Sequence, residues 1–357
     1  MRAAVYHGRE DVRVEDVPEQ DLGSGDVRVA VDACGICGSD LHEYAEGPIA
    51  IPADSPHPLT GETLPLTLGH EFAGTVVETG ADVDAPPVGA TAVVNPIVAC
   101  GSCRYCTEGR YSLCDSLMNV GIHGGGGGFA ANVVVPAANA VVLPSELSAA
   151  QGALVEPLSV GLHAVRRSGL TAGDTVAVFG AGPIGQGIVQ AALAAGAREV
   201  YVSEPRDARR DLAARLGATE TVDPAATDPV SHLKAATDGG TDVTFEVAGL
   251  TATLTQAIRT TLKAGTTVVV SLFEEAATLD PNYVTLAERD VRGSYGYRGG
   301  PLAARGEFPT VVQMLRDGRL DADPLITGRI GLDAIVDAGF ERLRDPESEH
   351  VKILVEP

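Results

Sequence analysis

The chain has 357 residues, of which 45% are apolar and 21% charged, and its formal net charge is −22 at pH 7. This length fits about two domains, and the composition excludes disordered, collagen-like and coiled-coil proteins. Because an acidic surface repels nucleic acids and anionic lipids, and no apolar run approaches the roughly 18 residues of a membrane span, we expect neither partner.

The first part of the chain predicts a β-rich domain, which we place at residues 1–153. Short β-prone runs alternate there with turn residues. They are Ala3–Tyr6, Val12–Val17, Val27–Val31, Phe72–Glu78 and Thr91–Asn95. Five consecutive glycines, Gly124–Gly128, predict a tight loop or a close approach of two backbones.

From residue 154 the pattern changes to short apolar runs alternating with helix-like segments. The runs are Thr175–Gly180, Glu199–Ser203, Thr219–Val222, Asp242–Val247, Thr266–Leu272 and Asp290–Tyr295. Such alternation is typical of a doubly wound parallel sheet, so we predict an α/β fold with a Rossmann domain at residues 154–297.

The last part of the chain, residues 298–357, is expected to rejoin the first domain. Arg298–Pro301 is glycine-rich and predicts a return connection. Phe308–Arg316 and Leu332–Arg344 predict helices, and Val351–Val355 predicts a final strand.

Four cysteines follow one another in a Cys-x2-Cys-x2-Cys-x7-Cys pattern: Cys100, Cys103, Cys106 and Cys114. Four thiolates close a tetrahedral zinc ion with no open position, so the pattern predicts a structural zinc lobe at about residues 98–117. An iron–sulfur cluster is the alternative metal centre. Disulfides fit poorly, because the spacing is cramped and the chain is large.

A second metal site is predicted from three separated segments. Catalytic zinc takes three protein ligands and leaves one position open for water or substrate. Cys37 supplies a thiolate and His70 an imidazole. The third ligand is a carboxylate, either Glu71 or Glu156. Each residue alone is more often structural, so the prediction depends on their combination.

The sequence Gly180-Ala181-Gly182-Pro183-Ile184-Gly185 is a Gly-x-Gly-x-x-Gly fingerprint. It follows a predicted strand and opens a predicted helix, the context that indicates dinucleotide binding. Gly180 permits the tight turn, Gly182 lets the pyrophosphate approach the backbone, and Gly185 lets helix and strand pack closely. With Pro183 and Ile184, these residues begin the helix whose free N–H groups bind phosphate.

Glu204 ends the next predicted strand and predicts NAD rather than NADP, because a carboxylate there accepts from the ribose hydroxyls. NADP remains an alternative cofactor, because an arginine at this place can hold its 2′-phosphate and three lie nearby: Arg206, Arg209 and Arg210. The segment Phe245–Gly249, which includes Val247, ends the fourth predicted strand and is expected near the nicotinamide ribose. Leu272 and Phe273 end the next strand and are expected to line the nicotinamide pocket.

A structural-type zinc lobe, a Cys/His/Glu site and a Rossmann fingerprint, in this order, resemble the zinc-dependent medium-chain alcohol and polyol dehydrogenases. The likeness runs nearly end to end. Within that family, four segments resemble the (R,R)-butanediol dehydrogenase branch: Gly35–Tyr44, Gly47–Ile49, His57–Glu62 and Gly124–Phe129. The long segment between Cys37 and His70 is similar to that branch as well.

The resemblance implies a GroES-like catalytic domain and reversible, zinc- and NAD-dependent oxidation of a secondary alcohol or vicinal diol to a ketone. The favoured pair is (R,R)-butane-2,3-diol and acetoin. Ser39 is implied to take the hydroxyl proton and to pass it, by way of the cofactor ribose, to His42. Glu156 stands where alcohol dehydrogenases have a second cysteine ligand, and it is the candidate partner of the second hydroxyl if Glu71 binds the metal.

Other readings remain open. A sorbitol, sugar or threonine dehydrogenase would use the same zinc and NAD chemistry, and a protein that only binds NAD would keep the fold without turnover. A zinc-free quinone reductase is disfavoured, because it needs neither Cys37 nor His70. Family members are usually dimers or tetramers, so we expect a homo-oligomer, and Asp290–Tyr295 is a plausible edge for joining subunits.

The N-terminal residues lack the apolar stretch of a signal peptide, so we expect a cytoplasmic protein. Its basic residues are almost all arginine; the lysines are Lys234, Lys263 and Lys352. Together with the acidic charge, which high salt screens, this composition predicts a protein from a salt-rich cytoplasm.

Overall fold

The computed structural model describes residues 1–299 and 305–357, so Gly300 and Pro301 of the predicted return connection lie outside the described residues. The chain forms two compact units. The first contains Met1–Glu156, Tyr297–Arg316 and Ile326–Pro357, and the second contains Pro157–Gly296 and Asp317–Leu325. Among the described helices, none combines the length and apolar character that crossing a membrane requires.

The strands of the described residues are, in chain order, β1 (Arg2–Gly8), β2 (Asp11–Asp16), β3 (Asp26–Gly35), β4 (Leu66–Thr67), β5 (Glu71–Thr79), β6 (Thr91–Val94), β7 (Ile97–Val98), β8 (Met118–Asn119), β9 (Asn132–Pro136), β10 (Ala140–Val142), β11 (Thr175–Phe179), β12 (Glu199–Ser203), β13 (Glu220–Val222), β14 (Thr241–Glu246), β15 (Thr261–Val269), β16 (Asp290–Gly293), β17 (Ile326–Gly331) and β18 (Lys352–Glu356).

The α-helices are α1 (Gly38–Glu46), α2 (Arg104–Thr107), α3 (Ala149–Ala153), α4 (Val155–Ser168), α5 (Pro183–Ala195), α6 (Asp207–Arg215), α7 (Pro229–Ala236), α8 (Thr251–Thr260), α9 (Asn282–Thr285), α10 (Glu307–Arg316) and α11 (Glu341–Arg344). The predicted helix at Leu332–Arg344 is helical throughout but changes pitch. It starts as a 3-10 turn, continues as a π-helix over Ile335–Phe340 and ends as α11.

The first unit is built on a mixed sheet in the order β10-β6-β5-β3-β18-β17, with β9 also pairing with β3. A smaller sheet has the order β2-β1-β4, and β7 pairs with β8. Strand β3 alternates buried and half-buried residues, so Val27, Val29 and Val31 point into the core. Because β18 pairs with both β3 and β17, the end of the chain is part of this sheet.

The glycine run at 124–128 is both a turn and a close backbone approach. Gly124, Gly125 and Gly126 have φ values of +102°, +74° and +77°, a region that other residues rarely enter. A Cβ on Gly127 would lie 2.3 Å from the carbonyl oxygen of Leu68. The run therefore folds tightly against the segment that leads into His70.

The second unit is a parallel sheet in the order β13-β12-β11-β14-β15-β16. This order reverses direction beside β11, the first of its strands, as in a doubly wound Rossmann fold. The central strand β11 is buried along its whole length, which explains its continuous apolar run. The predicted fold class, a β-rich domain with a Rossmann sheet, is thus confirmed.

Two details differ from the sequence prediction. Residues 317–325 belong to the second unit, although they fall within the range assigned to the first domain. There, Gln190 of α5 accepts from the Asp321 N–H at 2.6 Å and donates to its carbonyl oxygen at 3.1 Å. Strand β15 ends at Val269, three residues earlier than predicted, because its partner β14 ends at Glu246 and offers no further ladder positions.

Two histidine rings connect the long segment before His70 to the segment after Cys114. The rings of His57 and His123 stack with centroids 5.2 Å apart. His57 Nε2 lies 3.1 Å from the carbonyl oxygen of Leu117, and His123 Nδ1 accepts from the N–H of Asn119 at 2.9 Å. Burial, and then the nearby charges of His57 and His70, lower the pKa of His123 to about 4.

The folded protein should therefore lose stability as the pH falls from about 6.5 towards 4. Over this range His123 becomes protonated in the unfolded chain but stays neutral in the folded protein. The variant His123→Asn keeps an acceptor for the Asn119 N–H but does not titrate. We expect its unfolding midpoint to fall less than that of the wild type between about pH 7 and pH 5. Equal losses in the two proteins would contradict this role of His123.

Candidate active site

Two neighbouring strands bring three predicted metal ligands together in the first unit. Cys37 follows β3 at the start of α1, His70 precedes β5, and Glu71 is the first residue of β5. Strands β3 and β5 pair with Gly35 opposite Glu71. One ligand atom from each of Cys37, His70 and Glu71 lies within 4.8 Å of the other two. A Cβ on Gly35 would lie 2.2 Å from the Glu71 carboxylate, so this packing needs glycine.

A buried carboxylate behind this group, Asp40, touches two of its members. Its Oδ2 accepts from the backbone N–H of Cys37 at 2.9 Å, and its Oδ1 lies 3.4 Å from His70 Nδ1. The other ring nitrogen of His70, Nε2, lies 3.3 Å from the Ser39 hydroxyl. Burial lowers the pKa of His70, but the charges of Asp40 and Cys37 outweigh burial and hold the pKa well above its usual value. The surroundings thus favour positive charge at this place.

Glu71 is held by a lysine from the last strand. Lys352 Nζ donates to both carboxylate oxygens of Glu71, at 2.8 and 2.6 Å, and to the carbonyl oxygen of Ile36 at 2.8 Å. Its side chain is only 1% exposed. Burial lowers the pKa of Lys352, and the facing charges, Glu71 first, raise it above its usual value. The lysine therefore stays charged and pairs with Glu71.

Glu156 lies near this group without joining it. Among the described residues, the set of ligand atoms within 4.8 Å of one another contains Glu71 but not Glu156. Glu156 is buried in the first turn of α4, and its Oε1 accepts from the hydroxyl of the buried Tyr297 at 2.7 Å. Burial, and then the charge of Glu71, raise the pKa of Glu156 to about 7. The Tyr297 ring packs on Phe308, with centroids 4.9 Å apart.

Sequence reasoning missed three residues of this site: Asp40, Tyr297 and Lys352. Asp40 lies within Gly35–Tyr44, but no spacing in that segment marks its side chain as buried. Lys352 carried a signal, because a lysine inside an apolar strand of an arginine-rich chain needs a buried partner. Tyr297 had none, since it is distant in sequence from Glu156.

The donor set at this site fits zinc. A thiolate, an imidazole and a carboxylate are ligands that zinc takes, and three protein ligands leave a position open for an oxygen of a small molecule. The orientation of His70 fits as well, because a carboxylate on one ring nitrogen leaves the other for metal.

The four cysteines of the Cys-x2-Cys-x2-Cys-x7-Cys pattern also lie close together. The Sγ atoms of Cys103 and Cys106 are 3.5 Å apart, and those of Cys100 and Cys106 are 3.9 Å apart. In a tetrahedron with Zn–S bonds of 2.3 Å, sulfurs are about 3.8 Å apart. Backbone N–H groups of Cys100 and Cys103 point at the sulfurs of Cys114 and Cys100, at 3.3 and 3.4 Å. The residues therefore fit a closed zinc site between β7 and β8.

In the second unit, the glycine fingerprint forms a turn between β11 and α5. Gly180 has a φ of +102°. A Cβ on Gly185 would lie 2.1 Å from the carbonyl oxygen of Gly180, so the turn needs glycine there. Gly182 precedes the first helical residue, Pro183, which is followed by Ile184. The free N–H groups of this helix start can bind a phosphate.

Glu204 is buried beside this turn. Its Oε2 accepts from the N–H of Ala181 at 2.7 Å, and its Oε1 accepts from the N–H of Arg206 at 3.0 Å. Arg209 Nη1 is 3.8 Å from the position of a Cβ on Gly182. Arg210 donates instead to the carbonyl oxygens of Glu204 and Pro205, at 2.8 and 2.6 Å. Glu204 and Arg209 therefore both lie beside the turn where a cofactor ribose is predicted.

The three residues predicted at the nicotinamide lie in two loops beyond the strand ends. Val247 directly follows β14, and its N–H donates to the carbonyl oxygen of Phe179 at 2.9 Å. Leu272 and Phe273 follow β15, and the Leu272 side chain is 66% exposed. An exposed leucine at the carboxyl end of a parallel sheet, where such sheets bind ligands, is suited to contact with a cofactor.

Two protein-family models match the chain. Residues 23–145 match the alcohol dehydrogenase GroES-like domain, and residues 183–317 match the zinc-binding dehydrogenase domain. The chain belongs to the zinc-binding dehydrogenase family. It is 46% identical to the (R,R)-butanediol dehydrogenase of Bacillus subtilis strain 168, over 100% of both chains.

Two solved structures are similar to this fold. A crystal structure of 2R,3R-butanediol dehydrogenase from Bacillus subtilis has a TM-score of 0.91 at 46% identity and covers 100% of this chain and 99% of its own. A zinc-binding dehydrogenase from Sinorhizobium meliloti 1021, bound to NADP, has a TM-score of 0.87 at 35% identity, with coverage of 100% and 99%.

The substitution Cys37→Ser should remove one zinc ion per chain, because the remaining imidazole and carboxylate make an incomplete site. Cys34→Ser is the matched control: Cys34 is buried three residues earlier but lies outside both ligand groups. Zinc is measured by atomic emission after dialysis against a weak chelator. We expect two zinc ions per chain in the wild type and in Cys34→Ser. Wild-type zinc content in Cys37→Ser would show that this thiolate holds no metal.

Proposed function

We propose that this zinc-binding dehydrogenase oxidises (R,R)-butane-2,3-diol to acetoin with NAD, and catalyses the reverse reduction. The observation that carries the proposal is the group of Cys37, His70 and Glu71, whose donor atoms lie within 4.8 Å of one another in a chain with a dinucleotide fingerprint. The diol is chosen because the chain is 46% identical, over its full length, to a butanediol dehydrogenase.

In this proposal each chain holds two zinc ions. One is bound by the four cysteines of the Cys-x2-Cys-x2-Cys-x7-Cys pattern and the other, catalytic ion by Cys37, His70 and Glu71. We take Glu71 as the third catalytic ligand, backed by Lys352, because it belongs to the close set of donor atoms. Glu156 would then form a hydrogen bond with the second hydroxyl group of the diol. Its buried carboxyl group is fixed at one oxygen by Tyr297. A buried polar partner of this kind favours a diol over a simple alcohol.

Bound zinc would lower the pKa of the alcohol hydroxyl, and NAD would accept the hydride. The chain's own residues would then move the proton. Ser39 and His42 are three residues apart on α1, so their side chains share one face of that helix. Ser39 is proposed to take the hydroxyl proton and His42 to deliver it to solvent.

We propose NAD as the preferred cofactor, with NADP second. The buried carboxylate of Glu204 beside the fingerprint turn supports NAD, because it can accept from ribose hydroxyls and would repel a 2′-phosphate. Arg209, whose Nη1 lies 3.8 Å from the position of a Cβ on Gly182, is the residue that would allow some use of NADP.

We further propose that the protein is a cytoplasmic homodimer or homotetramer adapted to high salt. Strand β16 lies at one edge of the parallel sheet, and its Val291 is exposed, which suits pairing with a second copy. Light scattering in molar KCl tests the oligomer, and a monomer there would reject it. Activity that rises with KCl concentration tests the adaptation, and activity that falls would reject it.

The first experiment is a spectroscopic assay of NADH formation with the three stereoisomers of butane-2,3-diol, sorbitol and threonine. NAD and NADP are tested in parallel, with and without a chelator. We expect NAD-preferring, chelator-sensitive turnover of the (R,R) isomer. Faster turnover of sorbitol or threonine would replace the substrate and keep the chemistry. NADH binding without turnover of any alcohol would favour a protein that only binds the cofactor.

The substitution Tyr297→Phe should separate diol recognition from basic turnover. Loss of the bond to Glu156 frees the carboxyl group, so we expect KM for (R,R)-butane-2,3-diol to rise about tenfold. The KM for butan-2-ol, which lacks the second hydroxyl, should change little. Tyr295→Phe, in a half-exposed tyrosine two residues earlier, is the control. Equal rises for both alcohols would argue against this role of Glu156.

A further inference from the structure

A second buried glutamate, Glu246, lies in the other unit at the end of β14. Its side chain is 0% exposed, and it stands where the chain leaves the parallel sheet. The sequence analysis places its segment near the nicotinamide ribose but gives its side chain no role. A buried carboxylate is costly unless its oxygens are satisfied by donors, so its partners indicate what it holds in place.

One carboxylate oxygen of Glu246 accepts three hydrogen bonds from the segment that follows β14. Oε1 accepts from the N–H of Ala248 at 2.9 Å, from the N–H of Gly249 at 2.9 Å and from the Thr253 hydroxyl at 2.8 Å. These donors span residues 248–253, which lead into α8. The bonds fix the backbone immediately after Val247.

The other oxygen reaches a different loop. Oε2 accepts from the hydroxyl of Ser271, which follows β15 and immediately precedes Leu272. The two loops also touch through their backbones, because a Cβ on Gly249 would lie 2.4 Å from the carbonyl oxygen of Leu272. Glu246 is thus a bridge between the loop at 247–250 and the loop at 270–273.

Both loops lie at the carboxyl end of the sheet, beside the fingerprint turn. A Cβ on Gly180 would lie 3.1 Å from the backbone nitrogen of Ala248. Val247 and Leu272, the residues proposed at the nicotinamide, directly adjoin the donors that Glu246 holds. A loop fixed before its ligand arrives does not lose further conformational freedom on binding, so affinity rises.

We infer that Glu246 is a positioning residue for the nicotinamide half of the cofactor. It acts by linking the loops at 247–250 and 270–273 through its hydrogen bond with Ser271. This inference rests on the proposed cofactor site. It does not depend on which alcohol is oxidised. Glu246 acts through Val247 and Leu272 and takes no part in proton transfer.

The test compares two ligands that differ only at the nicotinamide end. NADH binding is followed by its fluorescence, and ADP-ribose, which lacks the nicotinamide, is measured by competition. Ser271→Ala cuts the link between the loops and leaves the bonds to Oε1 intact. We expect Kd for NADH to rise about tenfold and Kd for ADP-ribose to stay within about twofold of the wild type.

Three further variants keep the test decisive. Ser271→Thr retains a hydroxyl and should restore NADH affinity. In Glu246→Gln the amide oxygen can face the three donors while the NH2 group donates to Ser271, so NADH affinity should be largely kept. Thr253→Val also removes one hydroxyl from the carboxylate but leaves the bridge, so it should have a smaller effect than Ser271→Ala.

Equal weakening of NADH and ADP-ribose in Ser271→Ala, or no weakening of either, would overturn the inference. Failure of the proposed function would look different. Wild-type protein that binds NADH but oxidises no butanediol refutes the substrate and leaves the comparison of ligands valid. Wild-type protein that binds neither ligand refutes the cofactor site and, with it, the role of Glu246.

Discussion

The first unit depends on a balance of buried charge. Asp40, Glu71 and Glu156 are all buried, and Asp40 and Glu71 lie close to Cys37. Burying a carboxylate costs several kcal/mol unless positive charge or hydrogen bonds compensate it. Lys352 supplies one positive charge by pairing with Glu71. A divalent cation at Cys37, His70 and Glu71 would supply further positive charge. The charge balance and the donor atoms therefore both favour a zinc ion there.

This balance explains why the chain returns to its first unit. In the main sheet the neighbouring strands are β5, β3 and β18. Strand β5 begins with Glu71, β3 leads to Cys37, and β18 begins with Lys352. Without β18, the Glu71 carboxylate would lose both of its contacts with Lys352. The last strand therefore completes the site as well as the sheet, and its position depends on a pair of residues 281 apart in sequence.

The sequence predicted those features that depend on local spacing. The cysteine pattern, the glycine fingerprint and the six strands of the Rossmann sheet each follow from a short motif or a periodicity, and the structure contains the parallel sheet they imply. Features that depend on tertiary neighbours were not predictable in this way. Tyr297 meets Glu156 only because the fold joins segments 141 residues apart. The end of β15 is set by the length of its partner β14, which no local propensity encodes.

Cobalt substitution is the most direct test of whether Cys37, His70 and Glu71 hold a metal ion open to the alcohol. Cobalt(II) in place of zinc gives visible absorption bands that report its ligands, independently of turnover. We expect (R,R)-butane-2,3-diol added with NADH to shift the bands of one cobalt ion, while those of the four-cysteine site stay unchanged. Cys37→Ser should lack the responsive bands. A spectrum that shows only the four-cysteine site, or that does not respond to the diol, would show that these three residues hold no metal ion open to the alcohol.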